Sequence, residues 1–228
     1  MKICGFQKLT LLDFPGHLAA TIFTGGCNFR CPFCHNSELI LPEDFMEEED
    51  ILQTLKKRAG MLEGVCITGG EPTLQKDLPL FLEKLKAMGY AVKLDTNGYQ
   101  PAVLQELCRS GLVDSVAMDI KGAPESYASI AGIPELELSR IEESVRYLMG
   151  RPVPYEFRTT VVPELHREED FSEIGAWLAG ADAYYLQAYK DSEYVLDRRF
   201  TPPSKEWMEA LKNRLLPYIP HTQLRGVD

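Results

Sequence analysis

The stretch "LAATIFTGGCNFRCPFCHN", residues 18–36, runs from a short β-rich segment into three cysteines spaced within eight positions: Cys27, Cys31 and Cys34. "LAATIFT" (18–24) reads as a strand. The same alternation continues downstream. "EEEDILQTLKKRA" (47–59) is an amphipathic helix, "GVCIT" (64–68) a strand, and "DLPLFLEKLKAMG" (77–89) a helix that Gly89 can end. "AVKLDT" (91–96) precedes the helix "PAVLQELCRSG" (101–111), with Pro101 at an early helical position. "VDSVAMDI" (113–120) precedes "LSRIEESVRYLMG" (138–150), and "VPYEFRTTVV" (153–162) precedes "EEDFSEIGAWLAG" (168–180). "ADAYYLQAY" (181–189) leads to the last helix, "SKEWMEALKNRLLPYI" (204–219).

About six strand-then-helix units with no internal repeat predict a parallel sheet covered by helices. A doubly wound sheet and a barrel share this signature, and six units fall short of the eight of a closed barrel, so an open partial barrel also fits. The unusual residues occupy equivalent places. "CNFRCPFC" follows the first of these strands, "GGEP" (69–72) the second, "DTNG" (95–98) the third, "DIKG" (119–122) the fourth and "AYKD" (188–191) the sixth. Sites in parallel α/β folds gather at the carboxyl ends of the strands, so these segments are expected to face one cleft.

Soft thiolates at C-x3-C-x2-C spacing suit zinc or an iron–sulfur centre. Cys27, Cys31, Cys34 and the adjacent His35 form a permitted zinc set, but consecutive ligands at 34 and 35 would strain one tetrahedron, and no second knuckle appears. Three cysteines on a [4Fe–4S] cluster would leave one iron open. Cys4, Cys66 and Cys108 lie singly in apolar contexts and read as packing residues. His17, His166 and His221 read as surface or loop histidines.

With 24 basic and 34 acidic residues in 228, the net charge is −10, which argues against nucleic acid as a partner. Part of the acid sits at expected helix starts, 47–50 and 168–170, where the dipole favours it. The N-terminal stretch is too polar for a signal peptide, and no apolar run reaches spanning length. A cytoplasmic protein without membrane contact is the expectation, and in that compartment clustered cysteines are ligands or catalytic groups more often than disulfides.

Cys27, Cys31, Phe33 and Cys34 together form C-x3-C-x-aromatic-C, which resembles the cluster loop of the radical S-adenosylmethionine superfamily. "DFPG" (13–16), "CHN" (34–36), "GGEP", "DTNG" and "MDIK" (118–121) resemble, in order, motifs of the glycyl-radical-enzyme activating proteins. The short chain and the opening "LTLLDFPG" look most like the activators of anaerobic ribonucleoside-triphosphate reductase, with the pyruvate formate-lyase activating enzymes as near relatives.

The resemblance implies an α/β fold, a partial open (β/α)6 barrel, in a single domain over 1–228 with its core at about 13–190 and a C-terminal helix and tail at 200–228. It implies a [4Fe–4S] cluster on Cys27, Cys31 and Cys34, with S-adenosylmethionine on the open iron. Reductive cleavage would give a 5′-deoxyadenosyl radical that takes hydrogen from a glycine of a partner glycyl radical enzyme, with a flavodoxin- or ferredoxin-type electron donor. The carried-over cofactor contacts are Gly69, Gly70, Glu71, Thr96, Asn97 and Lys121, with Arg158 and Lys190 as further candidates. Asp95 and Asp119, with backbone oxygens of Thr96 and Met118, resemble a site for Na+ or K+; helix capping is the plainer use of such aspartates. The pyruvate formate-lyase activators carry a histidine near the position of Lys190, so this lysine is a departure from them. Cys4, Cys66 and Cys108 stand singly, so one cluster is the expectation. A radical enzyme acting on a small molecule and a non-enzymatic metal-binding protein are the competing readings.

Overall fold

A computed structural model describes residues 1–195 and 197–227. Its centre is one eight-stranded sheet in sequential order. Strand β1 (Ile3–Thr10) runs antiparallel to β2 (Ala19–Thr24). From β2 onward every pairing is parallel, through β3 (Gly64–Gly69), β4 (Ala91–Thr96), β5 (Ser115–Asp119), β6 (Tyr155–Val161), β7 (Tyr184–Ala188) and β8 (Thr222–Arg225). β1 and β8 are the two ends of the sheet, so the barrel is open.

Helices return the chain between parallel strands: α1 (Glu48–Arg58), α2 (Leu78–Ala87), α3 (Pro101–Arg109), the short α4 (Tyr127–Ala131), α5 (Leu138–Met149), α6 (Glu168–Trp177) and α7 (Lys205–Leu215). Strands β2 to β7, each followed by a helix, are the six units expected from the sequence. The sheet also takes in β1 and β8, which the periodicity did not reveal, so strand structure extends on both sides of the expected core at 13–190. Local chemistry agrees with these boundaries. α1 opens on Glu48, Glu49 and Asp50 and closes on Lys56, Lys57 and Arg58, which complements its dipole at both ends. Ser204 Oγ accepts from Trp207 N at 3.2 Å and caps α7.

Side chains alternate across each strand. Ile67, Val92, Leu94, Val116, Met118, Phe157 and Leu186 are wholly buried, and they pack with helix residues such as Leu55, Leu82, Leu104, Leu148 and Phe171. Each such aliphatic side chain contributes about 1.5–3 kcal/mol through its burial. The alternate positions therefore point into the barrel. Among them are Lys93 and Asp95 on β4, Asp119 on β5 and Arg158 on β6, an unusually ionic interior for a parallel sheet.

Candidate active site

The cysteine loop leaves β2 and is fixed by aromatic burial. Phe29 and Phe33 are buried in the core, which anchors the loop at alternate points to Cys27, Cys31 and Cys34. The backbone is clamped from three sides. Gly26 N donates to Leu39 O at 2.7 Å, Arg30 N to Ala131 O at 2.9 Å beside α4, and Asp197 N to Pro32 O at 3.1 Å. Phe29 N donates to Cys27 Sγ at 3.4 Å. Burial pushes the Cys27 thiol up to about 12 and Cys31 to about 11, with Lys121 opposing the shift in both, so neither is a thiolate at neutral pH until a metal takes it.

The "GGEP" turn lies directly against this loop. Gly70 N donates to Thr24 O and Glu71 N to Gly26 O, both at 2.8 Å. A Cβ on Gly69, where φ is +116°, would fall 2.3 Å from Thr24 N, and one on Gly70 would fall 2.1 Å from Gly26 O. Only glycine admits that approach. The two glycines thus hold two loops together, in addition to any contact of theirs with a ligand.

Glu71 is 1% exposed and accepts four hydrogen bonds: from Thr73 N, Thr73 Oγ1 and Thr96 Oγ1 on Oε1, and from Asn97 N on Oε2 at 2.7 Å. Burial raises its carboxyl above the ordinary range against the pull of these donors. Three of these bonds fall on Oε1 and one on Oε2, which keeps an acceptor site. Glu71 braces the ends of β3 and β4 and also lines the cavity. Asn97 extends the brace, because its Nδ2 donates to Asn28 Oδ1 in the cysteine loop at 2.8 Å.

Inside the barrel the acids and cations form a chain. Asp95 Oδ1 accepts from Lys93 Nζ, and Asp95 Oδ2 meets Arg158 Nη1 at 3.2 Å. Arg158 also reaches Asp119 Oδ1, at 3.0 Å from Nη2, and Lys121 Nζ holds Asp119 Oδ2 at 2.9 Å. Burial alone would raise Asp119, but Lys121 and Arg158 outweigh it and hold the carboxyl at about 2. Asp95 is likewise lowered, by Arg158 and Lys93 against burial. Each of the four carboxylate oxygens meets a protein cation, so an Na+ or K+ ion between Asp95 and Asp119 would have to share them with Lys93, Arg158 or Lys121. Among the described residues, no three His, Cys, Asp or Glu side chains converge on one ion. Three thiols on one loop at the cavity wall would be the ligands of an iron–sulfur cluster there.

Every candidate residue lines a single cavity of about 540 Å³ at the carboxyl ends of the strands. The lining includes the three cysteines, Gly69, Gly70, Glu71, Asp95, Thr96, Asn97, Asp119, Lys121, Arg158 and Lys190. That volume suits a cofactor-sized molecule. Lys190 sits on the exposed rim and makes no ion pair among the described residues. Sequence reasoning missed Lys93, whose signal was a lysine between Val92 and Leu94, two positions before Asp95 in a parallel strand. It also misplaced His166. This histidine is buried, not a surface residue: Nε2 lies 2.9 Å from Lys121 O, and Nδ1 is 3.1 Å from Val162 N. With Nε2 protonated, the neutral ring satisfies both groups and fixes the backbone of Lys121.

Residues 21–178 match the family described as the Radical SAM superfamily. The chain is 31% identical to "Putative glycyl-radical enzyme activating enzyme" of Methanocaldococcus jannaschii, over 99% of this chain and 96% of that one. It is 29% identical to the pyruvate formate-lyase 1-activating enzyme of Escherichia coli K12, over 95% of this chain and 96% of the relative. In fold it matches SuiB of Streptococcus suis, solved bound to precursor peptide SuiA, with a TM-score of 0.72 over 90% of this chain at 14% identity; the match takes in 48% of SuiB. The chain belongs to the radical S-adenosylmethionine superfamily and, within that class of enzymes, to the glycyl-radical-enzyme activating family. Membership implies a [4Fe–4S] cluster and S-adenosylmethionine, and the open cavity with its three thiols fits both. No helix among the described residues is long and apolar enough to cross a membrane.

Proposed function

We propose that Cys27, Cys31 and Cys34 hold a [4Fe–4S] cluster with S-adenosylmethionine beside it, and that the chain activates a glycyl radical enzyme by taking hydrogen from one of its glycines. The observation that carries this reading is the gathering of motifs from five strand ends around one cavity of about 540 Å³. Bound there, the cluster and cofactor supply one-electron reductive cleavage and the hydrogen-abstracting power that follows from it. The protein's own part is placement. Lys121 Nζ, held on Asp119 at the cavity wall, offers a cation to an anionic group such as the cofactor's carboxylate. Glu71, Thr96 and Asn97 keep the ends of β3 and β4 in register with the cysteine loop. Gly69 and Gly70 bring backbone close to the same space, and Lys190 offers a cation at the rim. We assign no alkali ion to Asp95 and Asp119, because it would have to share oxygens that Lys93, Arg158 and Lys121 already meet.

For the partner we propose anaerobic ribonucleoside-triphosphate reductase, on the resemblance of "LTLLDFPG" and on Lys190 standing where the pyruvate formate-lyase activators have histidine. Pyruvate formate-lyase is a second reading, which the 29% identity to the Escherichia coli activator over 95% of this chain supports equally. A flavodoxin- or ferredoxin-type donor, a cytoplasmic setting and a single domain over 1–228 complete the proposal; one continuous sheet from β1 to β8 supports the last. Anaerobic incubation of the reconstituted protein with S-adenosylmethionine, reductant and each candidate partner in turn tests it. A glycine-centred radical signal in paramagnetic resonance is expected with one partner. Cofactor cleavage without such a signal in either would refute the partner assignment, and no cleavage would refute the activity.

A further inference from the structure

Lys93 is 3% exposed, on β4, in the interior of the barrel. A buried ammonium is costly unless paired, and its partner is Asp95 Oδ1. In register it lies opposite Cys66 on β3 and Ser115 on β5, neither a carboxylate, and one strand further on Thr21 Oγ1 donates to Asp13, which lines the same cavity. Asp95 passes the interaction on through its other oxygen to Arg158, which reaches Asp119, which holds Lys121. This run of contacts contains three cations and two anions, and Asp13 and Arg225, the latter paired with Glu156, also line the cavity. Without Lys93 the remaining four charges cancel, and Asp95 Oδ1 loses its partner within the protein.

We infer that Lys93 is a built-in substitute for a bound alkali cation: its ammonium neutralises Asp95 and so positions Arg158, Asp119 and Lys121 for the ligand of this cavity. An ammonium is a compact point charge, comparable in that respect to a monovalent ion, and here it is tethered by its stem and needs no capture from solution. The inference rests on the reading that the cavity takes S-adenosylmethionine. Lys93 touches no ligand on this account and acts only through Asp95 and the cations beyond it.

Equilibrium binding of S-adenosylmethionine to the anaerobically reconstituted protein tests this, with choline, sodium or potassium chloride at constant ionic strength. The wild type is expected to bind equally in all three, within about twofold. K93A is expected to bind about tenfold or more weakly in choline, a factor equivalent to about 1.4 kcal/mol, and to recover in sodium or potassium. In the cluster-free protein, the thermal midpoint of K93A should rise with added sodium or potassium while that of the wild type stays fixed. Removing the charge pair together, in K93M/D95N, should give binding that is again indifferent to the salt, and this variant serves if K93A does not fold. A wild type that needs an alkali ion overturns the inference. So does K93A binding as well as wild type in choline, or weakened binding that neither ion restores. If the wild type binds no S-adenosylmethionine in any salt, the reading of the cavity fails, and the thermal shifts with ions alone still decide the role of Lys93.

Discussion

Replacing Glu71 by Gln tests the claim that this carboxylate braces the site. Its oxygens accept from two backbone amides, Thr73 N and Asn97 N, and from two hydroxyls, those of Thr73 and Thr96. The hydroxyls can rotate and become acceptors, but the amides cannot. If the new NH2 group takes the place of Oε2, it faces Asn97 N–H; if it takes the place of Oε1, it faces Thr73 N–H. Either way one buried N–H is left without an acceptor, at a cost of about 1–3 kcal/mol. Relief from burying a charge offsets part of that, since burial already pushes the Glu71 carboxyl upward. E71A would strand both amides and should cost about 2–6 kcal/mol by the same figure. Urea unfolding of the cluster-free protein measures this as a lower midpoint at unchanged slope. A change below about 0.5 kcal/mol in E71A, the level of an ordinary surface substitution, would refute the brace.

G70A should force the "GGEP" turn away from the cysteine loop, because its Cβ would lie 2.1 Å from Gly26 O. The expected cost is about 1–3 kcal/mol, together with lower iron uptake per chain on reconstitution, and normal stability with full iron loading would contradict the packing. H166A should lose about 1–3 kcal/mol through the unpaired Val162 N–H and weaken S-adenosylmethionine binding through Lys121, as binding measured beside H166Q would show. His166 also sets a pH dependence. Burial lowers its folded pKa below the ordinary 6.5, so its contribution is full above that value and lost as pH falls towards the folded pKa. The stability advantage of wild type over H166Q should therefore shrink as pH drops below 6.5, and a constant difference would argue against a neutral buried ring.

The candidate site was legible in the sequence because each motif occupies the same kind of place, the carboxyl end of a parallel strand, and parallel pairing brings such places together. That logic placed Cys27, Glu71, Asn97, Lys121 and Lys190 on one cavity wall although they are far apart in the chain. It could not assign roles within the wall, since whether Glu71 faces a ligand or its neighbours depends on the donors of Thr73, Thr96 and Asn97 around it. The two added strands escaped notice for local reasons. β1, "ICGFQKLT", contains a glycine and lacks clean alternation, and β8, "TQLR", has four mostly polar residues. Lys93 and His166 escaped because lysine and histidine are more often exposed, and their burial follows from tertiary pairing with Asp95 and with the backbone of Lys121. Asp95 and Asp119 were found as a pair, but the three cations that fill their oxygens come from three different strands or strand ends.

The most direct measurement is the 5′-deoxyadenosine formed from S-adenosylmethionine by the reduced, reconstituted protein and by its C27A, C31A and C34A variants, each shown to be folded by circular dichroism. Formation by the wild type and none by any single variant is the result expected of the proposed cluster on Cys27, Cys31 and Cys34. Product formed by a variant at the wild-type rate, or a wild type that takes up zinc, no iron, and cleaves nothing, would contradict the open three-cysteine site.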